Sequence, residues 1–156
     1  MIINERGKCM ITISIIGLDP YLVRQISKEM SAKIADIYET TVDNINFYSP
    51  ECLFIHNGVE QNTWNVLVKV NAPLKVKVME KDAAKIIHEF VKDACVNMAI
   101  EFYYYSQDNR YEFIDKEHPR FMTEENTVIE EDEPLEDGEE PYLGDIFENF
   151  EEKIKG

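Results

Sequence analysis

Two stretches of this chain repeat one another, and that repeat restricts the fold more than any other feature. Residues 31–38, SAKIADIY, match residues 83–90, AAKIIHEF, and residues 45–49, INFYS, match residues 100–106, IEFYYYS. In each copy a helical run of apolar residues gives way to a β-rich run bearing Phe and Tyr. A β-rich stretch also precedes each copy, so each copy reads as one βαβ unit. A crossover between parallel strands is right-handed and places its helix on one face of the sheet. Two such units side by side predict an α+β fold: one mixed four-stranded sheet with both helices on the same face.

The elements follow from local pattern. Ile11, Ile13 and Ile15 alternate with Thr12 and Ser14, and Gly17 ends that first strand. Asp19 suits a helix N-cap and Pro20 its first turn. Leu22, Val23, Ile26, Met30, Ile34 and Ile37 then recur at helical spacing. Ile45, Phe47, Cys52, Phe54 and Ile55 predict a strand with a bulge at Pro50, and Asn57-Gly58 a turn. Residues 63–70 are β-rich. The second helix carries Val76, Met79, Ala83, Ile86, Ile87, Phe90 and Ala94, but its start alternates like a strand (KVKV) and stays open. Residues 97–106 predict a strand, and residues 111–114 a short strand returning from it. Phe47, Trp64, Phe102 and Tyr104 are assigned to the helix-free face, where they require cover by another subunit.

Charge and composition exclude several functions. The chain has 156 residues, enough for one domain with one core. Residues 124–156 hold 14 acidic and 2 basic side chains, a net −12 of the chain's −15. That field repels nucleic acid and anionic lipid, so neither is an expected partner. No apolar run approaches the ~20 residues of a membrane span, and MIINERGKCM has no apolar core of a secretion signal. The expected location is cytoplasmic. Cys9, Cys52 and Cys95 lack metal-ligand spacing and fit free thiols in a reducing compartment. Neither a metal nor a cofactor is expected, and no phosphate-cradling or hydrolase motif is present.

The tandem βαβ order, with ITISIIG first and AIEFYYYSQDNRYEFI last, resembles the tautomerase superfamily, which includes macrophage migration inhibitory factor, with its nearest likeness in a bacterial branch of unknown function. The resemblance covers residues 9–117 and leaves residues 1–8 as an N-terminal extension. It implies a trimer, with a dimer as second choice, and a pocket between subunits at the start of the first strand. Active members of that family begin there with a proline whose secondary amine, neutral in an apolar pocket, acts as a general base. Here the matching position is Met10, or Cys9 if the strand starts one residue earlier, and residues precede both. The chain therefore departs from the family's pattern at the residue that carries its chemistry.

Cys9 remains a candidate base or nucleophile if its thiolate is stabilised, with Lys8 the one basic neighbour visible in sequence. His56, Tyr103, Tyr105 and Arg110 complete the candidate pocket, the tyrosines reading equally as packing. The expectation is a tautomerase-like protein with a small-ligand or assembly role and no proline-type activity. The alternative is an isomerase of small keto or enol acids using a non-proline base. Residues 118–156 read as an acidic tail. Within it Phe147, Phe150 and Ile154 share one stripe of a short helix expected over residues 142–154.

Overall fold

The computed structural model describes residues 9–126 and the backbone of residues 2–4. The described chain divides at Glu117 and His118 into two compact units. The helix expected over residues 142–154 lies outside the described residues.

The first unit is α+β. After β1 (Ile2–Asn4) come β2 (Ile11–Ile16), α1 (Pro20–Ile37), β3 (Ile45–Tyr48), a hairpin of β4 (Ile55–His56) and β5 (Val59–Glu60), β6 (Asn65–Pro73), α2 (Glu80–Val91), β7 (Asn97–Tyr105) and β8 (Phe113–Asp115). The main sheet has the order β3-β2-β6-β7. β2 runs parallel to β3 and antiparallel to β6, and β6 runs parallel to β7. The two βαβ units thus meet at the antiparallel β2–β6 pair, where Ile13 faces Val70 and Ile15 faces Val68.

Alternation decides what each strand buries. Ile11, Ile13 and Ile15 on β2 and Val66, Val68, Val70 and Ala72 on β6 enter the core beneath the helices. α1 meets them with Val23, Ile26, Met30 and Ile34, and α2 with Ala83, Ile87 and Val91. Asp19 caps α1 as its sequence predicts, its side chain accepting from the Tyr21 N–H at 2.8 Å, with Pro20 opening the helix. Gly17 has φ +100°, and a Cβ there would lie 2.7 Å from the Asn65 carbonyl oxygen, so only glycine fits where β2 turns away past β6. Beside it Thr63 is held at φ +69° by two backbone bonds, its N–H donating to Gly17 O at 2.8 Å and its carbonyl accepting from Val96 N at 3.1 Å.

Three expectations are corrected, and one reading left open is decided. Phe47, Phe102 and Tyr104 do not lie on the helix-free face: they pack against the core under the helices, while Trp64 is 59 % exposed beyond the start of β6. The helix-free face instead carries Thr12, Ser14, Asn46, Lys69, Asn71, Glu101 and Tyr103, paired in register as Thr12–Asn46, Ser14–Lys69, Lys69–Glu101 and Asn71–Tyr103. That face is polar along its middle, while Ile16, Leu67 and Ala99 stand in register toward its Gly17 end and Tyr48 is exposed on β3. The run predicted as one strand from Ile45 to Ile55 breaks after Tyr48, because Pro50 cannot donate to a ladder. The ambiguous KVKV segment becomes a 3₁₀ turn, Leu74–Met79, that leads into α2. Finally, the short strand near Tyr111 does not return along β7: β8 pairs antiparallel with β1, so the N-terminal extension carries a strand.

In the second unit, the described residues are tied by side chain to backbone bonds. Asn126 Oδ1 accepts from Thr123 N at 2.6 Å, and its Nδ2 donates to Phe121 O at 3.0 Å.

Candidate functional site

The start of β2 is a meeting place for four other elements. β6 runs antiparallel to β2, so its end at Pro73 lies beside Met10, and the register of β6 with β7 sets Tyr105 beside Pro73. α1 runs back along the sheet and ends at Tyr38, whose N–H bonds Ile34 O at 3.1 Å. α2 starts there with Glu80.

Alternation splits the two candidate residues of the strand mouth. Met10 is 2 % exposed. Its sulfur accepts from Asn46 Nδ2 at 2.9 Å, and its carbonyl accepts from the Tyr105 hydroxyl at 2.7 Å. Cys9 is half-buried and packs against the helix-side core. Burial pushes its thiol above the ordinary range, and Lys75 opposes that more weakly. Sequence offered only Lys8 as a basic neighbour. The 3₁₀ turn brings up Lys75, 66 positions away, yet burial still outweighs it. A thiol in this state is a donor, the reverse of what a nucleophile needs.

Of the other candidates, Tyr105 and Arg110 join this cluster and His56 and Tyr103 do not. Burial raises the Tyr105 hydroxyl while the Arg110 charge lowers it. The Arg110 guanidinium is in contact with the Glu112 carboxylate, which neutralises it as an anion ligand. Tyr103 is 47 % exposed on the helix-free face, its hydroxyl donating to Glu101 at 3.3 Å. His56 is exposed on the β4–β5 hairpin, which rejoins the sheet at its Gly17 end through Thr63. A cleft of about 440 Å³ lies at that same end, lined by Leu18, Pro20, Cys52 and Thr63 among others and by none of the predicted site residues.

Two polar residues of the cluster, Tyr38 and Glu80, escape a reading of the sequence, which offers Tyr104 only as one of the tyrosines near the last strand. The Tyr104 hydroxyl donates to the Glu80 carboxylate across 24 residues. Tyr38 is 2 % exposed, and its hydroxyl is buried with no hydrogen-bond partner among the described residues. Burial raises Tyr38 first, and Cys9 and Glu80 beside it raise it further. Tyr104 is raised by burial and then by its bond to Glu80. The one signal for Tyr38 in sequence is spacing, since it continues the series Ile26, Met30, Ile34 by four residues. Spacing alone marks it as core. Tyr104 and Tyr105 spend their hydroxyl hydrogens on Glu80 and the Met10 carbonyl, so Cys9 and Tyr38 are the donors of the cluster with no acceptor among the described residues, beside the carboxylate of Glu80.

Among the described residues no group of three or more His, Cys, Asp and Glu is placed to hold a metal, and no helix is long and apolar enough to cross a membrane.

No protein-family model matches the chain, and no curated protein matches it by sequence. Solved structures do. A domain of unknown function, DUF1904, from Sebaldella termitidis superposes with a TM-score of 0.60 at 21% identity, covering 66% of this chain and 95% of that one. A protein of unknown function from Vibrio cholerae gives 0.57 at 12% identity, covering 66% and 84%. A macrophage migration inhibitory factor-like protein from Entamoeba histolytica gives 0.50 at 8% identity, covering 65% and 91%. At these identities the likeness is one of fold, and the chain has the tautomerase-like fold.

Proposed function

We propose that this chain is a tautomerase-fold protein that binds a small molecule at the mouth of β2 and has no proline-type tautomerase activity. Residues 9–117 are the functional domain in this reading and residues 118–156 an acidic appendage. The observation that carries it is Met10. A proline-type base is a free secondary amine, and Met10 is an interior residue of the chain whose nitrogen is an amide. Its carbonyl and sulfur are both engaged by neighbours, which suits a wall and not a reagent. The donors converging beside it supply the polar groups that orient a ligand in such sites.

The assembly we propose is a homotrimer, and the location cytoplasmic. The helix-free face of the four-stranded sheet, polar along its middle, supports a subunit contact made in part of hydrogen bonds and ion pairs, so association should weaken with salt. Light scattering at micromolar concentration is expected to give three times the 18.2 kDa chain mass. A clean monomer would reject the trimer. Ketonisation of a simple enol acid at pH 7 is expected to proceed at the buffer rate with wild type, Cys9→Ala and Met10→Ala alike. Robust turnover that survives both substitutions would place the chemistry elsewhere. The second reading, an isomerase with a non-proline base, rests on Glu80, a carboxylate held within the cluster by the Tyr104 hydroxyl.

A further inference from the structure

At the Gly17 end of the sheet, away from the strand mouth, α1 and the end of β3 leave a hollow of about 310 Å³ between them. Local periodicity builds its walls. Pro20, Val23 and Arg24 stand at i, i+3 and i+4 on one face of α1, while Phe47, Ser49 and Glu51 alternate along β3 and the segment that continues it. The cleft of about 440 Å³ adjoins this hollow, since Pro20 and Glu51 belong to the walls of both. Each volume is in the range of small-molecule sites.

The charges of this double hollow are sorted and unpaired. Arg24 lines the smaller part only, Asp19 the larger part only, and Glu51 both. Arg24 and Glu51 carry opposite signs in one hollow, yet no ion pair joins either of them to another described residue. One carboxylate oxygen of Asp19 accepts from the Tyr21 N–H. The larger part also has apolar walls, and Leu53 there is 58 % exposed, an apolar side chain the fold does not cover. Its rim is held in place. Cys52 N donates to Pro50 O at 2.9 Å and Phe54 N to Asn62 Oδ1 at 2.9 Å. Thr63, β-branched, stands at φ +69°, a conformation that persists only where the surroundings enforce it and that collects at binding sites.

A carboxylate answers Arg24, an ammonium group answers Glu51 with Asp19 beside it, and a hydrocarbon group answers Pro20 and Leu53. We propose that the two hollows form one site for a free α-amino acid with an apolar side chain. Arg24 donates to its carboxylate, Glu51 accepts from its ammonium group, and its side chain lies over Pro20 and Leu53. This site is separate from the mouth of β2 and stands whether or not the mouth holds a ligand.

The test titrates the full chain with L-leucine, leucinamide, 4-methylpentanoate and glycine, read by heteronuclear NMR. Leucine should shift Arg24, Glu51, Leu53 and Asn62. The other three lack in turn the carboxylate, the ammonium group and the side chain, and each should bind roughly 5-fold more weakly or worse, the scale of one exposed charge pair. Arg24→Gln should abolish the preference for leucine over leucinamide, and Glu51→Gln the preference over 4-methylpentanoate. Both side chains are exposed, so neither change disturbs the core. Leucine binding unchanged by both substitutions, leucinamide binding as tightly as leucine, or shifts confined to Cys9, Tyr38 and Tyr105 would overturn the inference. So would the absence of any shift with millimolar leucine.

Discussion

Replacing Tyr38 by Phe should make the empty protein more stable. The substitution removes one oxygen and keeps the ring. Tyr38 is 2 % exposed, and its hydroxyl is buried without a partner. An unsatisfied buried hydroxyl costs ~1–3 kcal/mol of desolvation. Deleting it leaves a gap of roughly one oxygen atom, about 10 Å³, worth about 0.2 kcal/mol of lost packing. The net expectation is a gain of about 1 kcal/mol, or ~3–5 °C in melting temperature for a domain of this size. Tyr104→Phe provides the contrast, because that hydroxyl donates to Glu80. Its loss should destabilise by about 1 kcal/mol, since it strips a partner from a carboxylate. Urea unfolding of both variants beside wild type, read by tryptophan fluorescence and far-UV circular dichroism, measures both signs with an unchanged slope. A Tyr38→Phe protein less stable than wild type by 1 kcal/mol or more would show that the hydroxyl is already satisfied in the folded chain.

Other perturbations test the frame around the site. Gly17→Ala should cost at least ~2 kcal/mol by thermal melting, because the new Cβ meets the Asn65 carbonyl at 2.7 Å and the backbone sits at φ +100°. Asp19→Ala should cost ~1 kcal/mol by the same assay, the loss of the α1 cap, with Asp19→Asn close to wild type. Alkaline titration should destabilise the fold. Cys9, Tyr38, Tyr104 and Tyr105 all ionise above their ordinary values when folded. Their stabilising contribution is full below the unfolded values of ~8.5 for Cys and ~10 for Tyr. Above those values the unfolded chain releases protons that the folded chain keeps, so stability falls as pH rises. Urea midpoints that stay level from pH 8 to 11 would contradict that set of shifts.

The periodic parts of this fold are legible in the chain because near neighbours determine them. Ile11, Ile13 and Ile15 alternate, Ile26, Met30 and Ile34 step by four, and Asp19-Pro20 opens a helix whatever the helix packs against. The repeat carries the topology, since two right-handed βαβ units leave few arrangements for one sheet. Alternation also separates the faces of a strand, but it cannot say which face the helices will cover. Phe47, Phe102 and Tyr104 were assignable to either face, and only the register of β2 with β3, and of β6 with β2 and β7, sent them under the helices. The site is tertiary for a stronger reason. Cys9, Tyr38, Glu80 and Tyr104 lie far apart in the chain, and each stands at or near a strand or helix end, where local periodicity says nothing of which of them meet. They meet because antiparallel packing of β2 against β6 stacks the end of α1, the start of α2 and the end of β7 around one strand mouth. The stripe of Ile26, Met30 and Ile34 extends by one more step to Tyr38, whose ring is in the core. Only the packed fold shows that its hydroxyl is buried with nothing to hold.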